Sequence, residues 1–196
     1  YYDLIELQNI SAEEVNLSRY YLSDKKSNPY LWQMPDVTLA PGEYYVVRAS
    51  GDELDGTAPF KVSATGEALY LSNLEGECVE ALYVPALTPD TAFGRFGDLL
   101  RYYDQPSMGE PNPDGYKGIT LTPQASKNSG PLAQAASVFL NGEGNIYYTL
   151  DGSTPNEQSA LYDGTPIEIT ASTVLRVRGL AENSLWSPTR TYTYLF

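Results

Sequence analysis

Residues 67–84 read EALYLSNLEGECVEALYV. Within 68–72 the side chains alternate: Leu69 and Leu71 fall on one face, and Ala68, Tyr70 and Ser72 on the other. That is the period-2 pattern of a strand with one dry side. Asn73-Leu74-Glu75-Gly76-Glu77 supplies turn chemistry, and 78–84 resumes a β-prone apolar run. A hairpin follows from this stretch, with Cys78 read as a small hydrophobe buried on its second strand.

The same grammar extends along the chain. Short runs rich in Tyr, Val, Leu and Ile are interrupted roughly every 8–12 residues by Gly, Pro, Asn or Asp, which is the spacing of an all-β sandwich. Long amphipathic helical patterns are absent. Strands are expected at 4–8, 19–23, 30–34, 43–49, 68–72, 78–84 and 92–96, then at 119–122, 136–140, 145–150, 167–170, 173–179 and 189–195. Ala40-Pro41-Gly42-Glu43 places Pro and Gly at the centre of a type II turn. In 145–150, Ile146, Tyr148 and Leu150 point inward and Tyr147 and Thr149 outward, before Asp151-Gly152 turns the chain. In 174–178, Leu175 and Val177 point inward and Arg176 and Arg178 outward.

One segment breaks the pattern hardest. Residues 104–118 hold Pro106, Pro111 and Pro113 with Gly109, Gly115 and Gly118, so neither strand nor helix should run through them. For 196 residues, a break near the middle favours two domains.

Charge and composition exclude several functions. The net charge is −13; residues 1–112 carry 18 acidic against 7 basic side chains, and 113–196 carry 7 against 5. Such a field repels a phosphate backbone, and no basic stripe offsets it, so nucleic acid is not an expected partner. There is no histidine and only one cysteine, which removes an internal disulfide, the usual zinc and haem constellations, and any nucleophile with an imidazole base. No apolar run approaches the roughly 20 residues of a membrane-spanning helix. Seventeen tyrosines against five phenylalanines point to half-wet sheet faces, where the ring packs and the hydroxyl meets water. The chain starts at Tyr1, not Met, and is expected to be part of a longer polypeptide.

Two resemblances organise these signals. Asp3-Leu4-Ile5-Glu6-Leu7-Gln8-Asn9, Val15-Asn16-Leu17-Ser18 with Tyr21-Leu22-Ser23-Asp24, Trp32-Gln33-Met34-Pro35, Leu39-Ala40-Pro41-Gly42-Glu43-Tyr44, Phe60-Lys61-Val62-Ser63 with Gly66-Glu67-Ala68-Leu69-Tyr70-Leu71, and Phe93-Gly94-Arg95 with 106–112 together resemble a bacterial lamin tail domain over 1–112. The resemblance implies an immunoglobulin-like β-sandwich of the non-catalytic kind carried by surface or secreted proteins. Ile146-Tyr147-Tyr148-Thr149-Leu150-Asp151-Gly152-Ser153-Thr154-Pro155, Ala160-Leu161-Tyr162-Asp163-Gly164-Thr165-Pro166-Ile167, Thr173-Val174-Leu175-Arg176-Val177-Arg178 and Thr191-Tyr192 resemble the chitobiase/β-hexosaminidase C-terminal domain over 117–196, which implies a smaller fibronectin/immunoglobulin-like sandwich without catalytic residues. The order of the two is similar to that in bacterial surface proteins with a spore-coat-type (CotH) kinase domain.

The expected architecture is therefore all-β, with two β-sandwich domains in tandem: 1–112, a short linker at 113–118, and 119–196. Pro106 to Asn112 should be pinned against the first domain, leaving a linker too short for wide independent tumbling. The expected function is that of a non-catalytic, extracellular or cell-surface module pair of a bacterial protein, its partner an unknown protein or glycan or the neighbouring domains of the same polypeptide. No enzyme activity and no cofactor or metal is expected. Asp52, Glu53 and Asp55 lack the ordered ligand spacing of a calcium loop and read as a solvated acidic loop. Asp3, Glu6 and Asn9 sit at strand edges and read first as a solvated strand face, with a backbone or arginine partner for Glu6 as the alternative, and Trp32 reads as a core plug. The alternative function is carbohydrate binding, with Tyr30, Tyr147, Tyr162 and Trp186 as candidate contacts, since sugars stack on exposed flat rings.

Overall fold

The structure is a computed structural model that describes residues 2–196. The chain forms two compact units, one running up to Phe96 and resuming over Gln105–Pro113, the other made of Gly97–Asp104 and Asp114–Phe196. Each is a β-sandwich, and among the described residues there is no α-helix.

The first unit contains β1 (Asp3–Gln8), β2 (Val15–Asn16), a 3₁₀ turn (Leu17–Arg19), β3 (Tyr20–Ser23), β4 (Trp32–Gln33), β5 (Thr38–Leu39), β6 (Tyr44–Ala49), β7 (Glu67–Asn73), β8 (Cys78–Val84) and β9 (Ala92–Phe96). Strands β4-β3-β7-β8 form one sheet, β1 pairs antiparallel with β6, and β2 pairs with β5. Alternation turns Leu22 of β3, Leu69 of β7 and Val84 of β8 toward Val47 of β6, and Ile5 and Leu7 of β1 join the same core. Burying such a side chain contributes about 1.5–3 kcal/mol each, enough to select this register over a one-residue slip. Trp32 packs against that core, as its position between alternating residues predicts.

The hairpin at 73–77 forms as its turn residues require. Gly76 has φ 79°, and the Asn73 side-chain oxygen accepts from the amides of Glu75 (3.1 Å) and Glu77 (2.9 Å). The Pro41-Gly42 turn is also present, with Gly42 at φ 84° and the Glu43 amide donating to the Ala40 carbonyl at 3.0 Å. Cys78 corrects the sequence reading: it lies on β8 but is exposed. The strand is the outer member of its sheet, and a bulge between Leu71 and Ser72 breaks the alternation opposite Cys78. The segment 106–112 is pinned as expected: the Gly109 amide donates to Glu6 Oε2 (2.6 Å), and Asn112 Nδ2 donates to the Arg95 carbonyl (2.8 Å).

The second unit contains β10 (Leu99–Tyr103), β11 (Gly118–Ile119), β12 (Gln124–Ala125), β13 (Gly130–Pro131), β14 (Ala136–Val138), β15 (Leu140–Asn141), β16 (Asn145–Thr149), β17 (Ala160–Leu161), β18 (Ile167–Ile169), β19 (Thr173–Leu180), β20 (Ser184–Leu185) and β21 (Arg190–Leu195). A five-stranded sheet runs β13-β21-β19-β16-β17, and the pairs β14-β18 and β12-β15 supply the facing layer. The core between them is Val138, Leu140, Ile146, Ile167, Ile169, Leu175, Val177, Tyr192 and Tyr194. The two buried tyrosines keep their hydroxyls satisfied: Tyr194 donates to the Lys127 carbonyl at 2.7 Å, and Tyr192 accepts from the Ala125 amide at 2.9 Å. Burial raises the Tyr194 pKa above the ordinary phenol value, with Tyr192 a smaller cause.

Leu150 is a second correction. It was expected inward, but β16 ends at Thr149 and Leu150 is 44% exposed, because the chain is already entering the Asp151-Gly152 turn. Before and after the Pro-rich stretch, Tyr102 and Tyr116 exchange backbone hydrogen bonds (2.9 Å each), and Arg101 Nε meets Asp114 Oδ1 at 2.9 Å. The Lys117 amide donates to the Asn183 carbonyl at 2.8 Å. Among the described residues no helix is long and apolar enough to cross a membrane.

Candidate functional site

The outer face of the five-stranded sheet gathers two aromatic rings and two arginines. Since Ile146, Leu175 and Val177 point into the core, alternation sends Tyr147 and Thr149 of β16 and Arg176 and Arg178 of β19 to the opposite face. Register places Tyr147 directly across from Arg178 and Thr149 across from Arg176, with Leu161 of β17 on the other side of Tyr147. Trp186, just after β20, closes over this face: its ring centroid lies 5.3 Å from that of Tyr147, tilted by 57°, and the Arg178 guanidinium sits 4.7 Å over the indole. Stacking of that kind contributes about 0.5–2 kcal/mol and fixes the plane of the guanidinium.

Both arginines are held by backbone. Arg178 Nε donates to the Ser187 carbonyl at 3.0 Å, while Arg176 Nη1 reaches the Gly152 carbonyl (3.1 Å) and the Thr154 hydroxyl (2.9 Å). Burial, and after it the like charge of Arg176, lowers the Arg178 pKa, although a guanidinium stays charged at neutral pH. An open concavity beside this face is lined by Tyr148, Thr149, Leu150, Asp151 and Ala160.

Of the four candidate carbohydrate contacts, the fold brings Tyr147 and Trp186 together. Tyr162 packs against the core of the same unit. Tyr30 belongs to the first unit, where its ring meets Tyr21 edge-on (5.1 Å, 87°) and its hydroxyl rests against Gly76. Arg178 was read from the sequence only as outward-facing. Its pairing with Trp186 depends on a loop that returns to the sheet, and no period in the sequence encodes such a return.

Comparison with known families divides the chain in the same order. Residues 2–85 match the family described as Lamin Tail Domain, and residues 127–191 match the Chitobiase/beta-hexosaminidase C-terminal domain. The chain carries a lamin tail domain followed by a chitobiase/beta-hexosaminidase C-terminal domain. No curated protein and no solved structure matches it. Both families are accessory, and no catalytic domain is detected in this chain.

Within the lamin tail domain, polar groups that resemble site residues in the sequence bind the domain's own backbone. Asp3 Oδ2 accepts from the Val62 amide (2.9 Å), and Glu6 from the Gly109 amide. Asn9 is 6% exposed; its Nδ2 donates to the carbonyls of Glu13 (2.8 Å) and Leu39 (3.0 Å), and its Oδ1 accepts from Ser11. Asp52, Glu53 and Asp55 lie exposed in the loop after β6. In the chitobiase-type domain, Glu143 accepts from the Leu121 amide (2.7 Å), Asp151 from Ser153 and Asp163 from Thr165. Hydrogen bonds from the Ser153 side chain and then its amide hold the Asp151 carboxyl below the usual aspartate range, and Thr165 does the same for Asp163. Among the described residues no three cysteine or carboxylate side chains converge to hold a metal ion.

Proposed function

We propose that this chain is a pair of non-catalytic interaction and spacer modules of a larger bacterial surface or secreted protein, and that it positions a neighbouring domain outside the cell. The observation that carries this reading is the commitment of carboxylates to backbone. Asp3, Glu6, Glu43, Glu67, Glu143, Asp151 and Asp163 each accept from a main-chain amide, so these seven of the 25 acidic side chains hold loops and turns. The accessory character of both matched families supports the same reading. A spore-coat-type (CotH) kinase domain is the neighbour that the domain order suggests.

Two measurements test it. An antibody raised against the chain labels intact, unpermeabilised cells of the source organism, and the purified chain turns over none of a panel of glycoside, ester and peptide substrates. Labelling that requires permeabilisation removes the surface assignment, and turnover above the rate of heat-denatured protein removes the non-catalytic one.

A second reading, carbohydrate binding, is favoured by the contact of Tyr147 with Trp186 on one sheet face. The two rings are half-buried and tilted by 57°, so each offers an edge of apolar surface, not a shared plane, against which the C–H face of a sugar can pack. Of the four candidates, these two are the ones to test first; Tyr162 is packed inward and Tyr30 stands in the other domain.

A further inference from the structure

The basic side chains of this acidic protein are not treated alike. Arg95 pairs with Glu80 and Arg101 with Asp114, both within 3 Å, and these are the ion pairs found among the described residues. Arg176 and Arg178 stand on one strand face, two residues apart, with no carboxylate partner, in a chain that has 25 acidic residues available for the purpose. The charge of Arg176 stands close enough to weigh on that of Arg178. Proteins usually place an acid beside such a pair, so uncompensated like charges on a structured face mark a position kept for a ligand.

The geometry around Arg178 narrows that ligand. Its Nε is used by the Ser187 carbonyl and its plane is set by Trp186, which leaves Nη1 and Nη2 as donors without an acceptor among the described residues. A fixed guanidinium edge with free donors matches the two oxygens of a carboxylate. Next to it, Tyr147 and the 54% exposed Leu161 continue the surface as an apolar strip, with the Thr149 hydroxyl alongside. The ligand therefore has one carboxylate attached to a body with a flat, weakly polar face. Charge limits its length: residues 113–196 carry 7 acidic against 5 basic side chains and the rest of the chain is more acidic still, so a polyanion is repelled while a lone carboxylate is accepted.

We propose that the Arg178–Trp186–Tyr147 face binds a sugar acid, its carboxylate on the Arg178 guanidinium and its ring along Tyr147 and Leu161, carried as a single charge on an otherwise neutral oligosaccharide. The proposal rests on the carbohydrate reading above and adds the charge of the sugar and the residue that reads it.

The test uses the whole 196-residue chain and matched pairs of oligosaccharides: sialyllactose against lactose, and a xylo-oligosaccharide bearing one glucuronate against the same chain without it. Binding is followed by calorimetry and by the indole N–H resonance of Trp186. The expected result is that an acidic member binds and moves that resonance, with its neutral counterpart weaker by about tenfold or more, the range of a charge-assisted bidentate contact. Arg178→Gln, melting at the wild-type temperature, erases the difference, and Arg178→Lys, which keeps the charge but not the fork, restores little of it. Equal binding of acidic and neutral members overturns the carboxylate site and leaves the carbohydrate reading intact. Binding by neither member of either pair overturns both. Unchanged discrimination in Arg178→Gln overturns the assignment to this face. If Arg178→Gln is unstable, the acidic-against-neutral comparison on the wild-type protein and the Trp186 resonance decide by themselves.

Discussion

Asn9 shows how a single polar side chain holds a loop in place. It bridges the end of β1 to Glu13 and to Leu39 and accepts from Ser11, so its replacement by Ala removes all three links from a buried position. The expected cost is about 2–3 kcal/mol in chemical denaturation, above the loss from an ordinary exposed hydrogen bond. Two glycines separate backbone strain from steric exclusion. Gly42 has φ 84° with open space around it, whereas at Gly144 (φ 63°) an added Cβ would lie 2.5 Å from the Leu180 carbonyl oxygen and 2.6 Å from Ala181 Cα. Gly42→Ala should therefore cost about 1 kcal/mol and Gly144→Ala about 3 kcal/mol or more by the same measurement.

The aspartate turns give a pH dependence. The folded pKa values of Asp151 and Asp163 are depressed by their Ser153 and Thr165 hydrogen bonds, so their contribution is present above the unfolded value, about 3.9, and is lost as pH falls through the folded value. Melting temperature should drop on acidification below about pH 4, and Asp151→Asn should flatten part of that drop. A carboxyl titration by NMR that finds Asp151 at or above an ordinary aspartate value would contradict the assignment. At this scale the sequence was partly legible. Asp3, Glu6 and Asn9 read first as a solvated strand face, yet Asp3 and Glu6 take the Val62 and Gly109 amides and Asn9 is buried, because an Asn beside a turn has the same letter whether it faces solvent or two distant carbonyls.

Among the elements, β7 and β8 show where periodic reasoning succeeds and where it fails. Alternation placed both strands and their turn, yet it gave Cys78 to the interior, because period 2 says which residues share a face without saying which strand ends the sheet. The exposed thiol should react fully with a water-soluble disulfide reagent in the absence of denaturant; protection comparable to that of a core cysteine would return Cys78 to its sequence reading. Strand β10 was not anticipated at all. Leu99-Leu100-Arg101-Tyr102-Tyr103 is β-prone by composition, but it stands next to the Pro- and Gly-rich stretch, whose breakers masked it. Very short strands such as β2, β5 and β12 were missed for a related reason: two residues carry no measurable period.

For the whole molecule, the route of the chain matters more than the position of its breaks. Residues 97–104, which include β10, group with the second unit, and 105–113 group with the first. A fragment beginning at 97 keeps the Tyr102–Tyr116 hydrogen bonds, the Arg101–Asp114 ion pair and the burial of Tyr103, while one beginning at 114 loses all three. The longer fragment should be more stable by about 3 kcal/mol, read from urea unfolding midpoints at equal slope. All-β class, two domains and their families were legible from turn spacing and ordered motif blocks. The Arg178–Trp186 face was not, since it is assembled from a strand, its neighbour and a returning loop.

The most direct test of the proposed accessory role is to delete both domains from the longer polypeptide that the proposal requires and follow the neighbouring domain in two assays at once. The expected result is unchanged turnover of a small soluble substrate by that neighbour, together with reduced retention at the cell surface or reduced recovery of its partner. Turnover that falls to background while the neighbour stays folded would place essential chemistry in this chain and contradict the account.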